Sequence, residues 1–228
     1  RERIRLVAAA SRGSPAGLRD PPMTTASSRR RVVVTGLGVI TGVGHDVSST
    51  WSALVAGRSG VGRITYFDWD DEWSTTIAGE VRDWDPEALL GKRESRKMDR
   101  FCLLAMHAAD EAARDCGIDF TSGDPTRRGV VIGSGVGGIE TIENATRRLM
   151  AGGPRKMNPF TVPRLMVNAA AGNVSIRYDL RGANSAVATA CATGGHAIGT
   201  AAQLIGRGDA DVMFAGGSEA AVTPICIS

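Results

Sequence analysis

The sequence runs to 228 residues, 43% of them hydrophobic and only 5% aromatic, with 29 glycines and a formal net charge of +3. That length can bury a real core in one or two domains; no apolar run approaches the ~18 residues of a transmembrane helix, and the lack of low-complexity tracts or collagen-like repeats excludes a wholly disordered or fibrous chain. The positive balance is not that of a nucleic-acid-binding protein, because residues 1–31 hold eight of the 27 basic and two of the 24 acidic residues, leaving the rest of the chain at a net −3.

Residues 1–22 show no sustained period and end in Pro21-Pro22, and Met23 opens a short polar run. Residues 1–31 are therefore expected to be a disordered basic extension, with Met23 a candidate native start. An Arg-rich transit peptide and a basic arm touching nucleic acid are competing readings. The β-branched run over 31–35, ending in Gly36-Leu37-Gly38, predicts a buried strand feeding a turn. Residues 46–57 predict a helix capped by Ser48 or Ser49, with Trp51, Leu54 and Val55 on its apolar face and Gly57 at its end. Residues 63–90 mix Asp and Trp clusters and read as an insertion. From Asp99, the spacing of Phe101, Leu104, Ala105, Ala108 and Ala112 predicts a helix stopped by Gly117. A buried strand over 129–132 follows, then a glycine-rich turn and a helix through Met150. Further helices are expected over 161–178 and 192–206, with strands over 185–190 and 211–215. Strands alternating with helices predict an α/β fold with a largely parallel sheet.

Four cysteines, Cys102, Cys116, Cys191 and Cys226, are widely spaced with no C-x-x-C pair, so neither a metal site nor a disulfide framework is expected and a reducing cytoplasm is the default. Gly133, Gly135 and Gly138 match a dinucleotide fingerprint between a strand and a helix, but the acidic residue expected ~20 positions on is missing. The other reading is close strand-to-helix packing. Cys191 is more informative. The Thr189-Ala190-Cys191-Ala192-Thr193-Gly194-Gly195 run sets a thiol at a strand-to-helix corner, beside unpaired helix N–H groups and the positive end of the dipole. That field favours thiolate, and the small residues that follow leave room for an acyl group. Cys102 reads as a buried structural cysteine. His196, five positions along the same helix, would point roughly 140° away from the sulfur; His45 and His107 are tied to the site by nothing in the sequence.

The segments RRVVVTGLGVITGVG (30–44), RKMDRF (96–101), IGSGVGG (132–138), GGPRKMNPF (152–160), TACATGGHAIG (189–199) and GDADVMFAGGSEA (208–220) resemble the N-terminal half of the β-ketoacyl-acyl-carrier-protein synthases, closest to the type II condensing enzymes of bacterial fatty-acid synthesis. The resemblance implies a thiolase-type fold of two similar halves, each a mainly parallel five-stranded sheet with helices, of which 32–228 would be the first. It also implies a cytoplasmic homodimer paired through the strand before the nucleophile. By position, Cys191 resembles the nucleophile that carries the acyl chain as a thioester, with its own N–H as one oxyanion donor. Val136 and Thr161 match acyl-pocket positions, and Arg93, Arg96 and Lys97 match the residues that dock acyl carrier protein. No metal or organic cofactor is implied beyond the carrier's phosphopantetheine arm. Two histidines and a lysine of the family lie in the second half, so the 228-residue chain is expected to be a truncated, inactive condensing enzyme. A polyketide ketosynthase and a non-catalytic carrier-binding fragment are the alternatives.

Overall fold

A computed structural model describes residues 30–228. The expected extension over 1–31, with Met23, therefore lies outside the described residues except for Arg30 and Arg31.

Helix α1 spans Val47–Val55. Its cap is Asp46, not Ser48 or Ser49: the Asp46 carboxylate accepts from the Ser49 N–H at 2.6 Å, and Ser49 Oγ accepts from the Asp46 N–H at 3.3 Å. The longer acceptor goes at the cap and the serine returns the bond, a reciprocal capping box. The face expected to be buried is not: Trp51, Leu54 and Val55 are exposed, and Thr50 and Ala53 point inward. Strands β1 (Val61–Arg63) and β2 (Ile77–Gly79) then form an antiparallel pair, with β2 inside the 63–90 segment read as an insertion and β1 at its leading edge. Helix α2 (Glu87–Ser95) is broken at Gly91, whose φ of 73° suits glycine.

Helix α3 (Arg100–Cys116) bears out the spacing argument: Asp99 caps it, Gly117 ends it at φ 63°, and Phe101, Leu104 and Ala105 are buried along it. Strand β3 (Arg128–Gly133) is buried throughout. It is followed by α4 (Ile139–Gly152), α5 (Thr161–Leu165), α6 (Ala169–Arg177), β4 (Asn184–Ser185), α7 (Thr193–Arg207), β5 (Val212–Gly217) and α8 (Pro224–Ile227). The sheet order is β4-β3-β5, all parallel, with Arg128 opposite Val212 through to Gly133 opposite Gly217. Val130 and Ile132 pack with Phe101, Met106, Ala170 and Val174 into one core between β3, α3 and α6. Successive strand residues alternate faces. Val131 is also fully buried, and α7 covers β3 and β5 with Ala197 and Ala201. Burying a side chain such as Val131 contributes about 1.5–3 kcal/mol.

Four expectations need correction. The described residues form a three-stranded parallel sheet and a separate two-stranded pair, not one sheet of five. The run over 31–35 joins neither; Val33 and Val34 are 72% and 76% exposed. β-branching favours an extended chain, but a strand also needs a ladder partner, and the run pairs with neither outer edge of the β4-β3-β5 sheet. The residues after it are pinned to α3 instead. Leu37 N–H donates to Asp115, while Val39 and Val47 N–H donate to the two oxygens of Glu111. Gly36 and Gly38 lie so close that a Cβ would fall 2.3 Å and 1.8 Å from the carbonyl oxygens of Ala112 and Ala108. The strand expected over 185–190 keeps a ladder only at Asn184–Ser185. The helix expected over 161–178 breaks at Met166 (ψ 133°), where the Leu165 carbonyl accepts from the Gly138 N–H.

Candidate active site

The chain leaves β4, passes β3 and enters α7 through a single 3-10 turn, Ala190–Ala192, with Cys191 at its centre. Thr193 begins α7 immediately after, so the thiol stands at the N-terminal end of a 15-residue helix, as the sequence predicted. Cys191 is exposed and unpaired. The turn is held from both sides: Thr189 N–H donates to Thr193 Oγ1 at 2.9 Å, and Ala192 N–H donates to the Thr189 carbonyl at 3.1 Å. Ala190 is left-handed, with φ 49°. An alanine there is strained, and such strain persists only where neighbours over-determine it.

The glycine-rich loop is the corner's floor. A Cβ on Gly133 would lie 1.8 Å from the Val187 carbonyl oxygen, and one on Gly135 would lie 3.4 Å from Ala190 Cα. The loop after β3 therefore packs its backbone against the corner at Gly133, and at Gly135 the Glu219 carboxylate occupies the space a side chain would take, beside Ala190. This decides the dinucleotide question. Glu219, just past β5, accepts from Ser134 Oγ (2.8 Å), Gly135 N–H (2.7 Å) and Val136 N–H (3.3 Å), and Gly137 N–H donates to Ser134 Oγ (2.9 Å). A carboxylate fills the cradle that a phosphate would need. Glycine serves here for close packing. Sequence reasoning missed Glu219, and its one signal was an acidic residue directly after the strand-ending Gly-Gly-Ser.

The other candidate residues fall around this corner unevenly. Val136 stands exposed on the loop that abuts Ala190. Thr161 opens α5, its hydroxyl donating to the Asn158 carbonyl at 2.7 Å. The loop packs on the other end of that helix, Gly137 against Leu165 and Val167, so α5 links the loop that carries Val136 to Thr161. Arg93 and Arg96 are exposed beyond the Gly91 break, and Lys97 pairs with Glu94 at 2.6 Å. None of the three histidines hydrogen-bonds Cys191 among the described residues. His196 is exposed on α7, whereas His107 accepts from Trp84 Nε1 at 3.2 Å and donates to the His45 carbonyl at 2.6 Å. Cys102 is buried, and burial followed by the nearby Asp99 charge pushes its thiol far up, out of reactive range. A cavity of about 340 Å³ lies on the other side of Glu219, bounded by Arg100, Glu140, Glu143, Arg147 and Thr223. Burial, then the Asp99 charge, raises the Glu140 carboxyl there. No group of three or more His, Cys, Asp or Glu among the described residues could hold a metal ion, and no helix among them is long and apolar enough to cross a membrane.

Residues 29–227 match the family model described as β-ketoacyl synthase, N-terminal domain. The chain belongs to the β-ketoacyl synthase family. Relatives named 3-oxoacyl-[acyl-carrier-protein] synthase 2 are 49% identical over 199 residues in Coxiella burnetii, 48% over 198 in Vibrio cholerae and 44% over 202 in Staphylococcus aureus. These alignments cover 87%, 87% and 89% of this chain and 48%, 48% and 49% of the relative. The chain thus spans about half the length of the curated relatives it matches. Among solved structures, a type II PKS acyl-carrier protein in complex with its ketosynthase bound to the hexaketide superposes with a TM-score of 0.72 at 28% identity, over 87% of this chain and 53% of that one. The ishigamide ketosynthase/chain length factor gives 0.71 at 30%, over 83% and 47%. The fold is that of the thiolase-like ketosynthases, as the resemblance implied.

Proposed function

We propose that this chain is the first half of a β-ketoacyl-acyl-carrier-protein synthase of fatty-acid synthesis, and that Cys191 accepts the acyl group. The observation that carries the reading is an exposed thiol on a strained turn at a helix N-terminus, floored by a glycine-rich loop. Cys191 Sγ attacks the carbonyl of an acyl thioester on the carrier's phosphopantetheine arm. The carrier thiol leaves with the proton, and the acyl chain runs past Val136 toward Thr161. Malonyl-carrier protein then loses CO2, and its carbanion attacks the Cys191 thioester to release a β-ketoacyl product. That second step draws on groups outside these 228 residues. Arg93, Arg96 and Lys97 dock the acidic carrier protein, the complete enzyme works as a homodimer in the cytoplasm, and no metal or further cofactor takes part. Identities of 44–49% to relatives named 3-oxoacyl-[acyl-carrier-protein] synthase 2, against 28% to the type II PKS ketosynthase and 30% to the ishigamide ketosynthase/chain length factor, favour this over the polyketide reading.

The test is acyl loading. Incubated with acyl-carrier protein, the chain gains the mass of one acyl group, mapped to Cys191 and lost in Cys191→Ser, with no β-ketoacyl product when malonyl-carrier protein is added. An adduct on another cysteine, or none, defeats the reading.

A further inference from the structure

Three non-glycine residues among those described adopt positive φ: Asp83, Asp179 and Ala190. Aspartate tolerates that region because its short polar side chain bonds locally, whereas alanine has nothing to offset the clash. Ala190 must therefore be held from outside. Its own turn supplies the Thr189–Thr193 and Ala192–Thr189 bonds. From across the corner the Gly135 segment comes near it: a Cβ built on Gly135 would lie 3.4 Å from Ala190 Cα and 2.7 Å from a Glu219 carboxylate oxygen. That segment owes its position to Glu219, whose two oxygens take Ser134 Oγ, Gly135 N–H and Val136 N–H. Glu219 is in turn fixed at the end of β5, where its neighbour Ser218 donates from N–H to the Gly133 carbonyl at 3.0 Å and from Oγ to the Phe101 carbonyl at 2.7 Å. A continuous path runs from the core, through Glu219 and the 134–136 loop, to Ala190 and the thiol beside it.

We propose that Glu219 is a positioning residue: its carboxylate clamps the 134–136 loop into the wall that keeps Ala190 left-handed, and so sets where Cys191 presents its thiol. This rests on Cys191 being the acyl-accepting thiol of the proposed function. Without the clamp the loop recedes, Ala190 relaxes to negative φ, and the thiol swings with it. Removing a carboxylate near a thiol would also favour thiolate, an electrostatic effect of opposite sign. The two effects separate because only the first depends on strain at position 190. Glycine adopts positive φ without cost, so an Ala190→Gly corner no longer needs the wall.

The experiment is a double-mutant cycle read by iodoacetamide alkylation of the full 228-residue chain. Peptide mapping follows Cys191, with exposed Cys226 as internal reference, and circular dichroism verifies folding. Glu219→Gln should slow Cys191 alkylation about fivefold or more, the rate equivalent of the strain held at one residue. The same change in an Ala190→Gly chain should alter it by less than about twofold. Ser134→Ala, which removes one bond of the clamp, should act in the same direction but less, and stands in if Glu219→Gln does not fold. An equal factor in both backgrounds means a charge effect alone and overturns the proposal, as does no change in either. Alkylation needs no carrier protein, so failed acyl loading with the expected cycle would refute the proposed function and leave the positioning role standing.

Discussion

Asp99 joins two helix starts, and removing its carboxylate should cost more than any single cap. The side chain is 1% exposed. One oxygen accepts from Phe101 N–H at 3.3 Å, capping α3; the other accepts from Thr141 N–H at 3.1 Å and Thr141 Oγ at 2.5 Å, in the first turn of α4. Loss of the cap costs about 1 kcal/mol. Thr141 is itself buried, so Asp99→Ala also strands two donors, each costing about 1–3 kcal/mol. The sum is about 3–7 kcal/mol, before any gain from collapse of the small void. Urea unfolding followed by far-ultraviolet circular dichroism measures it, with an unchanged denaturant slope marking a pure stability effect. Thr141→Val removes the hydroxyl donor alone and should lose about half as much, and the double variant should cost less than the two singles together. A loss below about 1 kcal/mol for Asp99→Ala would refute the account, because it would mean that water reaches the stranded donors.

Three further outcomes are expected. Native-state alkylation should modify Cys191 and Cys226 but spare Cys102, which should react only once the chain is unfolded; this is read by peptide mapping with and without denaturant. Burial alone would raise the Glu80 carboxyl, but bonds from Thr65, Arg82 and Tyr66 outweigh it and hold the group below its ordinary value of 4.5. A carboxyl with a depressed folded-state pKa stabilises fully above its unfolded value and loses that contribution as pH falls through the folded one. Thermal melts of the parent chain should therefore weaken as pH drops below about 4.5, and Glu80→Gln should flatten that slope. Reversing the charges of Arg93, Arg96 and Lys97 should weaken binding of acyl carrier protein by a factor that shrinks as salt is raised, measured by titration calorimetry; a salt-independent loss would point away from charge docking.

What was legible in the sequence divides along a physical line. Helix α3 could be read because its period, its Asp99 cap and its Gly117 stop are all local, and each acts on the element that contains it. Strand β3 could be read because a central parallel strand is apolar on both faces. The run over 31–35 is β-branched like β3 yet forms no ladder, since pairing depends on where the rest of the chain holds the run and composition does not encode that. The exposed face of α1 failed for a related reason: periodicity says that one face is apolar, but not whether another element of the same chain covers it.

At the site the division is finer. Cys191 could be placed at a helix start because a small-residue turn leads directly into a helix, and the dipole argument needs nothing else. The loop that faces the turn was invisible, because its position rests on partners 84 and 85 positions apart: Glu219 on Gly135 and Ser134. The same contact explains why a literal dinucleotide fingerprint misleads. Glycines at 133, 135 and 138 are demanded by the Val187 and Arg164 carbonyls and by the Glu219 carboxylate lying where side chains would go. The backbone N–H groups they leave bare are then satisfied from inside the protein. A glycine-rich turn after a strand thus reports only that something must come close; whether that is a phosphate or a second backbone depends on an acidic residue elsewhere in the chain. Here Glu219 takes that place, so the loop builds a wall for Cys191 in place of a cradle for a nucleotide.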